Sequence, residues 1–437
     1  MESPTQLHLQ PLQTAQGEIG LPGSKSISNR LLLLAALAQG STRIEGLLQS
    51  DDTKVMLNAL RALGVELHTI DLNTVIINGT GAFNTPAADL FLGNAGTAVR
   101  PLTATLAVLG GAYKLSGVAR MHERPIADLV QSLQAIGCQI DYLQKPGYLP
   151  LRIGQPQFRE PVEIAVNASV SSQFLSAVLM AAPIIAQKTQ QSVHIRVIGQ
   201  LISKPYIQIT LNLMAKFGVQ VQADNFQHFT IAADARYQAA GLVQVEGDAS
   251  SASYFMAMAL LGKGPIRLYG LTEASIQGDI AFAAFVQKLG ARVQSGYNYL
   301  EISAPGIAQQ ALRRFDEDFN LIPDAAMTAA VLALFADGPC RLRNIASWRV
   351  KETDRIAAMH QELTKVGAQV VSGEDFLEIT PPRQWQSANI DTYDDHRMAM
   401  CFSLTAFGPV PQTILDPGCV AKTFPNYFEE FKKLTVK

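Results

Sequence analysis

Two patterns of apolar and polar positions recur along the chain. The first is an amphipathic stretch that ends in apolar–Gly–apolar, seen as LNALRALGVEL, VQSLQAIGCQI, LNLMAKFGVQV, FVQKLGARV and HQELTKVGAQV. Its glycines, Gly64, Gly137, Gly218, Gly290 and Gly367, stand 73, 81, 72 and 77 residues apart. Each stretch predicts a helix closed by a glycine that takes positive φ, followed by a strand. Short alternating runs that come next, such as NTVIING and HFTIAA, predict the second arm of a hairpin. The second pattern is polar at its start and almost wholly apolar afterwards: SKSISNRLLLLAAL, GTAVRPLTATLAVL, SVSSQFLSAVLMAA, DASSASYFMAMALL, PDAAMTAAVLALF and DDHRMAMCFSLTAF. With Ser26, Gly96, Ser171, Ala249, Asp324 and Asp395 as markers, the steps are 70, 75, 78, 75 and 71 residues. A helix apolar all round is a buried one. Its polar first turn either caps free N–H groups or meets a ligand.

The chain is therefore expected to be six copies of one unit with two helices and several strands. The sixth copy, ending KTFPNYFEEFKKLTVK, runs out before its closing strands, and LHLQPL near the start is expected to supply one of them. Crossings between halves then fall near Leu21–Pro22 and near Gly241–Val243. This gives one domain over residues 22–242 with repeats one to three, and a second over 1–21 plus 243–437 with repeats four to six. A hinge of two strands is expected between them.

Composition narrows the class. At 437 residues the chain is too long for one ordinary core. With 48% hydrophobic and 16% charged residues it is a packed globular protein. A net charge of -2 provides no general basic field for nucleic acid, so any anion site must come from local cations. Cys138, Cys340, Cys401 and Cys419 form no CxxC pair, which argues against a metal site or a disulfide framework. MESPTQLHLQPL is neither a secretory signal nor an Arg/Ser-rich transit peptide, and no apolar run is long enough to span a membrane. The expectation is a cytoplasmic protein.

Chemistry gathers at the starts of the apolar helices. Free N–H groups and the helix dipole there favour anions. Capping accounts for any single Ser or Asp, but not for the cations beside them. Lys25 and Arg30 flank the first start, Arg100 lies in the second, and His396 and Arg397 lie in the sixth. Loops add Arg120, His122, Glu123 and Arg124 in RMHERP, Ser203, Lys204 and Tyr206 in SKPY, Arg349, Lys351, Glu352, Asp354 and Arg355 in RVKETDR, and Lys422. If KETDR is helical, Lys351 and Arg355 share a face. Taken alone it reads equally well as a solvated, salt-bridged face. The set as a whole implies a phosphate-rich ligand. GSKS lacks the adjacent Gly-Lys of a Walker loop, and no G-x-G-x-x-G follows a strand, so neither an NTPase nor a nicotinamide enzyme is indicated.

LPGSKSISNR, LGNAGTAVRPL, EGDASSASYF, IPDAAMTAA, RVKETDR, DDHRMAM and DPGCVAKTFPNYF, in this order over nearly the whole chain, resemble the EPSP synthases of the enolpyruvyl transferase family. The resemblance implies a two-domain inside-out α/β barrel, each domain three βαβαββ units, closing around its substrates. It implies transfer of the enolpyruvyl group of phosphoenolpyruvate to the 5-hydroxyl of shikimate 3-phosphate, a step toward chorismate and the aromatic amino acids, by a cofactor-free monomer. Carried over by motif, Lys25, Ser26, Arg30, Ser171, Ser172, Gln173, Ser203, Tyr206, Asp324, Ser347 and Lys351 would hold shikimate 3-phosphate. Lys25, Asn94, Gly96, Thr97, Arg124, Gln173, Arg355, His396, Arg397 and Lys422 would surround phosphoenolpyruvate. Ser347 stands where the family commonly has Asn, and is shorter, so water could bridge it to substrate. Asp394 replaces the Asn of many relatives and is not assigned a catalytic role. Gly96 and Pro101 are retained as in glyphosate-sensitive members.

The implied reaction is addition followed by elimination. It needs a base at the hydroxyl, an acid at C3 and a shield for several negative charges. Asp324 is assigned to the hydroxyl, Glu352 to the proton at C3, and Lys25 to the hydroxyl or the leaving phosphate. The sister enzyme acting on UDP-N-acetylglucosamine uses a loop cysteine in the second repeat, where SGVARMHERP has none. A catalytically inert binding homologue is opposed by the presence of Lys25, Asp324, Glu352 and Lys422. A nucleic-acid enzyme is opposed by the near-neutral charge and the lack of an aromatic-basic groove.

Overall fold

The computed structural model describes residues 5–159, 162–305 and 311–436. Two compact units emerge: Gly23–Val245, and Met1–Pro22 with Glu246–Lys437. They are called here the contiguous unit and the divided unit. The strand Gly241–Gln244 pairs in parallel with Gln39–Glu45, so it stays with the contiguous unit. The division therefore falls after Val245, whereas the sequence reading placed it after residue 242.

The contiguous unit repeats one pattern three times. In its second repeat, Ala87–Phe91 leads to the buried helix Gly96–Leu109, then Ala112–Ser116, the helix Ala127–Ala135, and the hairpin of Ile140–Tyr142 and Leu151–Ile153. Ala112–Ser116 lies parallel to Ala87–Phe91 and antiparallel to Leu151–Ile153, which pairs outward with Ile140–Tyr142. The third repeat copies this order with Glu163–Asn167, Val193–Ile198, His228–Ile231 and Val221–Asp224. In the first repeat the leading strand is Gly241–Gln244, supplied from the far end of the unit. The helices Lys25–Leu37, Gly96–Leu109 and Ser172–Thr189 bury nearly every side chain, while strands such as Val193–Ile198 alternate buried and exposed. Helices inside and half-solvated sheets outside make the inside-out α/β architecture.

The divided unit follows the same plan with borrowed strands. Thr14–Gly20 leads the fourth repeat, parallel to Lys263–Tyr269. Gln6–Leu9 pairs antiparallel with Gln412–Leu415 of the sixth repeat, placing His8 opposite Thr413. The LHLQPL segment thus does complete the last repeat. The buried helices are Ala249–Leu261, Ala326–Leu332 and His396–Ser403. Among the described residues no helix is long and apolar enough to cross a membrane.

All five closing glycines have positive φ, from +78° at Gly64 to +106° at Gly290. In each case the residue after the glycine donates its N–H to a carbonyl five positions back, as Val65 does to Leu60, Val219 to Met214 and Ala368 to Leu363. That bond ties off a helix end that would otherwise leave carbonyls open. Gly23 of GSKS has a different reason. A Cβ there would lie 2.0 Å from the carbonyl of Gly46, so it permits a close backbone approach.

The glycines differ in what surrounds them. A Cβ on Gly137 would meet the Gln157 carbonyl at 1.8 Å, while at Gly218 the nearest atom is 3.7 Å away. We expect Gly218→Ala to lose about 1 kcal/mol, the left-handed penalty alone, and Gly137→Ala about 3 kcal/mol or more. Urea denaturation of the two variants checks the difference.

Candidate active site

In the contiguous unit the first helix begins at Lys25, which is 8% exposed. Its Nζ lies 3.6 Å from Asp52 Oδ2. Thr97 donates to the same carboxylate at 3.3 Å and accepts from Asn29 Nδ2 at 2.6 Å. Asp52 sits at the start of the helix Asp51–Ala62, whose cap is Ser50. Three helix starts are thereby tied together at Lys25.

One turn further on, Arg30 is held by neutral groups. Nε donates to Thr210 Oγ1 at 2.8 Å, Nη2 to Ser176 Oγ at 3.2 Å and Nη1 to the Ser26 carbonyl at 3.0 Å. Burial pulls its pKa down to about 10, with Tyr206 acting weakly the other way. No carboxylate pairs with Arg30 among the described residues. A buried guanidinium satisfied only by dipoles is a seat for an anion. Tyr206 and Ser203 start the neighbouring helix Lys204–Lys216, with Ser203 in the left-handed region at φ +52°. Ser171 caps the next helix by accepting the Gln173 amide at 3.2 Å, followed by buried Ser172.

The second helix start is crowded by guanidinium. Arg124 Nη1 donates to Asn94 Oδ1 at 3.1 Å and to the Asn94 carbonyl at 3.3 Å. Arg100 reaches the Pro125 carbonyl and Met121 Sδ. A Cβ on Gly96 would stand 2.8 Å from Arg124 Nη2 and 2.9 Å from Arg100 Nη1. The absence of a side chain at Gly96 leaves room for both guanidinium groups beside the helix start.

The divided unit holds a network of charges. Asp324 Oδ1 accepts from Lys351 Nζ at 3.3 Å and from Arg355 Nη1 at 3.0 Å, and its Oδ2 from Arg397 Nη2 at 2.9 Å. Burial works against its charge, and Arg397, Lys351 and Arg355 outweigh it, holding the carboxyl well below the usual range. Arg355, 1% exposed, also binds Asp395 through Nε at 2.8 Å and Nη2 at 3.2 Å, and Glu352 through Nη2 at 2.9 Å. Asp395 caps the His396–Ser403 helix by accepting the Arg397 amide at 3.0 Å. Arg397 Nη1 donates to buried Tyr254 Oη at 3.1 Å. His396 is fully buried, its Nδ1 3.5 Å from Asp395 Oδ1. Lys422 ends the short helix Pro417–Lys422 and is also buried.

The RVKETDR segment is not one helix. Asp354 caps the helix by accepting the Ala357 amide, so the helix begins at Arg355 and Lys351 is extended. Lys351 and Arg355 meet at Asp324, not along a helical face. The preceding turn is anchored by buried Trp348, whose indole donates to the Pro323 carbonyl at 2.7 Å, beside Asp324. Ser347 stands partly buried in the same turn.

Comparison with known proteins settles what this arrangement belongs to. The model of the family described as EPSP synthase (3-phosphoshikimate 1-carboxyvinyltransferase) matches residues 9–431. The chain belongs to the EPSP synthase family. A 3-phosphoshikimate 1-carboxyvinyltransferase of Bordetella bronchiseptica is 60% identical over 431 residues, 98% of each chain. Its counterpart in Paraburkholderia phymatum is 58% identical over 98% of this chain and 99% of its own. In fold, an EPSP synthase from Acinetobacter baumannii superposes with a TM-score of 0.80 at 24% identity, over 99% of this chain and 98% of that one. The enolpyruvyl transferase NikO from Streptomyces tendae does so at 0.74 and 16% identity, covering 99% of each chain.

Most of the site residues expected from the EPSP synthase motifs lie at or beside a helix start or in a loop leading to one; Arg30 lies one turn inside its helix and Lys422 at the end of a short one. Three carboxylates were missed. Asp52, Asp395 and Asp279 were legible only as caps or loop residues. Asp279 is 5% exposed and accepts from Ser250 Oγ. Burial first, then Asp324, push its pKa up to about 7, against Ser250 and Arg397.

For Asp279 the folded value lies above the ordinary 3.8. The folded protein therefore holds a proton that the unfolded chain releases, and stability falls as pH rises through that window. We expect the thermal midpoint of wild type to drop between about pH 4 and 7 by more than that of Asp279→Asn. Parallel profiles in thermal scans would show that this group keeps no proton.

Proposed function

We propose that the side chains described above carry out the family's reaction in this chain: transfer of the enolpyruvyl group from phosphoenolpyruvate to the 5-hydroxyl of shikimate 3-phosphate. The observation that supports the assignment is the Asp324–Lys351–Arg355–Arg397 cluster with Glu352 attached. It joins one ionised carboxylate to three cations next to a second carboxylate. Two anionic substrates need cations, and the two proton transfers need carboxylates.

Arg30, Ser26, Ser171, Ser172, Gln173, Ser203 and Tyr206 are assigned to shikimate 3-phosphate, with the Arg30 guanidinium on the phosphate. Asp324 would accept from the ring hydroxyls, with Lys351 and Ser347 nearby. Asn94, Gly96, Thr97, Arg124 and Gln173 are assigned to phosphoenolpyruvate, as are Arg355, His396, Arg397 and Lys422. Lys25 serves both substrates.

In the addition step the 5-hydroxyl oxygen bonds to C2 of phosphoenolpyruvate. Its proton leaves toward Asp324 or Lys25, and C3 takes a proton from Glu352. In the elimination step C3 returns a proton to Glu352, the C2–O bond to phosphate breaks, and phosphate leaves with Lys25 and the arginines neutralising it. Asp324 is a poor base while three cations hold it. Phosphoenolpyruvate competes for Arg355 and Arg397, and each contact it takes over raises the basicity of Asp324. The activity is assigned to a cytoplasmic monomer with no cofactor.

Purified protein should release phosphate from phosphoenolpyruvate only when shikimate 3-phosphate is present, and not with UDP-N-acetylglucosamine. Glu352→Gln should lower kcat by about 10²- to 10⁴-fold. Release with the nucleotide sugar would move the chain to the sister activity, and no release from folded protein would reject the reading. Gly96→Ala, by pushing on Arg124 and Arg100, should raise the KM for phosphoenolpyruvate and weaken inhibition by glyphosate. Unchanged values for both would place Gly96 outside that site.

A further inference from the structure

Glu362 lies two turns along the same helix from Arg355 and is fully buried, yet the reaction above does not use it. Its Oε1 accepts from the Tyr393 hydroxyl at 2.6 Å and its Oε2 from the Asp391 amide at 3.1 Å. Lys365 Nζ pairs with Oε2 at 2.8 Å and reaches Asp391 Oδ2 at 2.7 Å and the Asn389 carbonyl at 3.2 Å. A carboxylate is tolerated at zero exposure only when its lone pairs are met in this way.

The repeat shows that a charge is not needed at this place for folding. Glu362 stands five residues before the closing glycine Gly367, and the same register position holds Ala59, Leu213 and Phe285 in the first, third and fourth repeats, all buried. In the second repeat it holds Ser132, whose Oγ donates at 2.7 Å to the Ala165 carbonyl, in the strand that leads to Ser171. At this register position in the second and fifth repeats, a polar residue grips the segment that introduces the next apolar helix.

What Glu362 grips is a backbone under strain. Tyr393 and Asp394 are both left-handed, with φ of +54° and +52°, a conformation that a bulky residue keeps only when its surroundings impose it. Asp395 follows at once, capping the His396–Ser403 helix and pairing with Arg355 through both oxygens. The helix Arg355–Lys365 therefore holds the Asp391–Arg397 segment at two points about 10 Å apart along its axis.

We propose that Glu362 and Tyr393 are positioning residues for phosphoenolpyruvate, fixing the left-handed pair and so the direction in which Arg397 and His396 face that substrate. The inference rests on the assignment of Arg397 to phosphoenolpyruvate. The test varies each substrate separately for wild type, Tyr393→Phe, Glu362→Gln, their double variant and Arg397→Lys, with thermal midpoints recorded alongside. Tyr393→Phe removes one hydroxyl and keeps the ring, so it should remain folded. The expected result is a KM for phosphoenolpyruvate raised about tenfold by loss of one buried hydrogen bond. The KM for shikimate 3-phosphate should stay within about twofold, and the double variant should fall short of the product of the single effects. A lowered thermal midpoint with an unchanged KM for phosphoenolpyruvate, or equal rises in both KM values, overturns the proposal. If Arg397→Lys raises the KM for phosphoenolpyruvate while Tyr393→Phe does not, the clamp alone is wrong. If Arg397→Lys leaves it unchanged, the substrate assignment falls and the clamp proposal falls with it.

Discussion

Arg355 has almost no contact with water and is held at once by Asp324, Glu352 and Asp395. An isolated buried guanidinium would cost many kcal/mol, and removing any one partner leaves charge uncompensated in a poorly screened interior. The surrounding elements are fitted to this constraint. Asp354 starts the helix so that Arg355 faces inward, Trp348 pins the turn before it, and Asp395 is brought up as the cap of another helix. The network is built for fixed geometry more than for stability, because apolar residues of similar size would hold such a core equally well.

The contiguous unit treats its buried arginine differently. Arg30 is surrounded by hydroxyls and a carbonyl, which satisfy N–H groups without cancelling charge. Asp324 is saturated with cations while Arg30 meets none of the opposite sign among the described residues. One arrangement stores negative charge among cations, and the other stores a cation among dipoles. Asp324 lies just before its apolar helix and Arg30 one turn inside its own, both near the end where the macrodipole is positive.

Much of this was legible in the sequence because it follows local rules. The closing glycines had to be left-handed, and are. The apolar helices begin within two residues of their markers, and the short sixth repeat did point to a strand near the N-terminus. What stayed hidden depends on partners far apart in the chain. Asp52 reads as the opening turn of a helix until Lys25 and Thr97 are seen beside it, and Arg30 finds Thr210 across 180 residues. KETDR misled because its charges suit a helical face while Asp354, in its midst, is a cap. Asp394 became intelligible only from its positive φ. Asn and Asp tolerate that conformation better than most residues, so backbone geometry accounts for either residue there.

The borrowed strands bear on the order in which the protein can be made. The contiguous unit takes every strand from Gly23–Val245, so all its partners exist once that stretch has left the ribosome. The divided unit must keep Gln6–Leu9 and Thr14–Gly20 waiting for Gln412–Leu415 and Lys263–Tyr269. Thr14–Gly20 can pair once Lys263–Tyr269 is made, but Gln6–Leu9 must wait for Gln412–Leu415 near the other end of the sequence. Sequence separation is thus longer still in the unit that carries Asp324 and Glu352, where strands pair across about 400 residues, against about 200 for Gly241–Gln244 and Gln39–Glu45 in the contiguous unit.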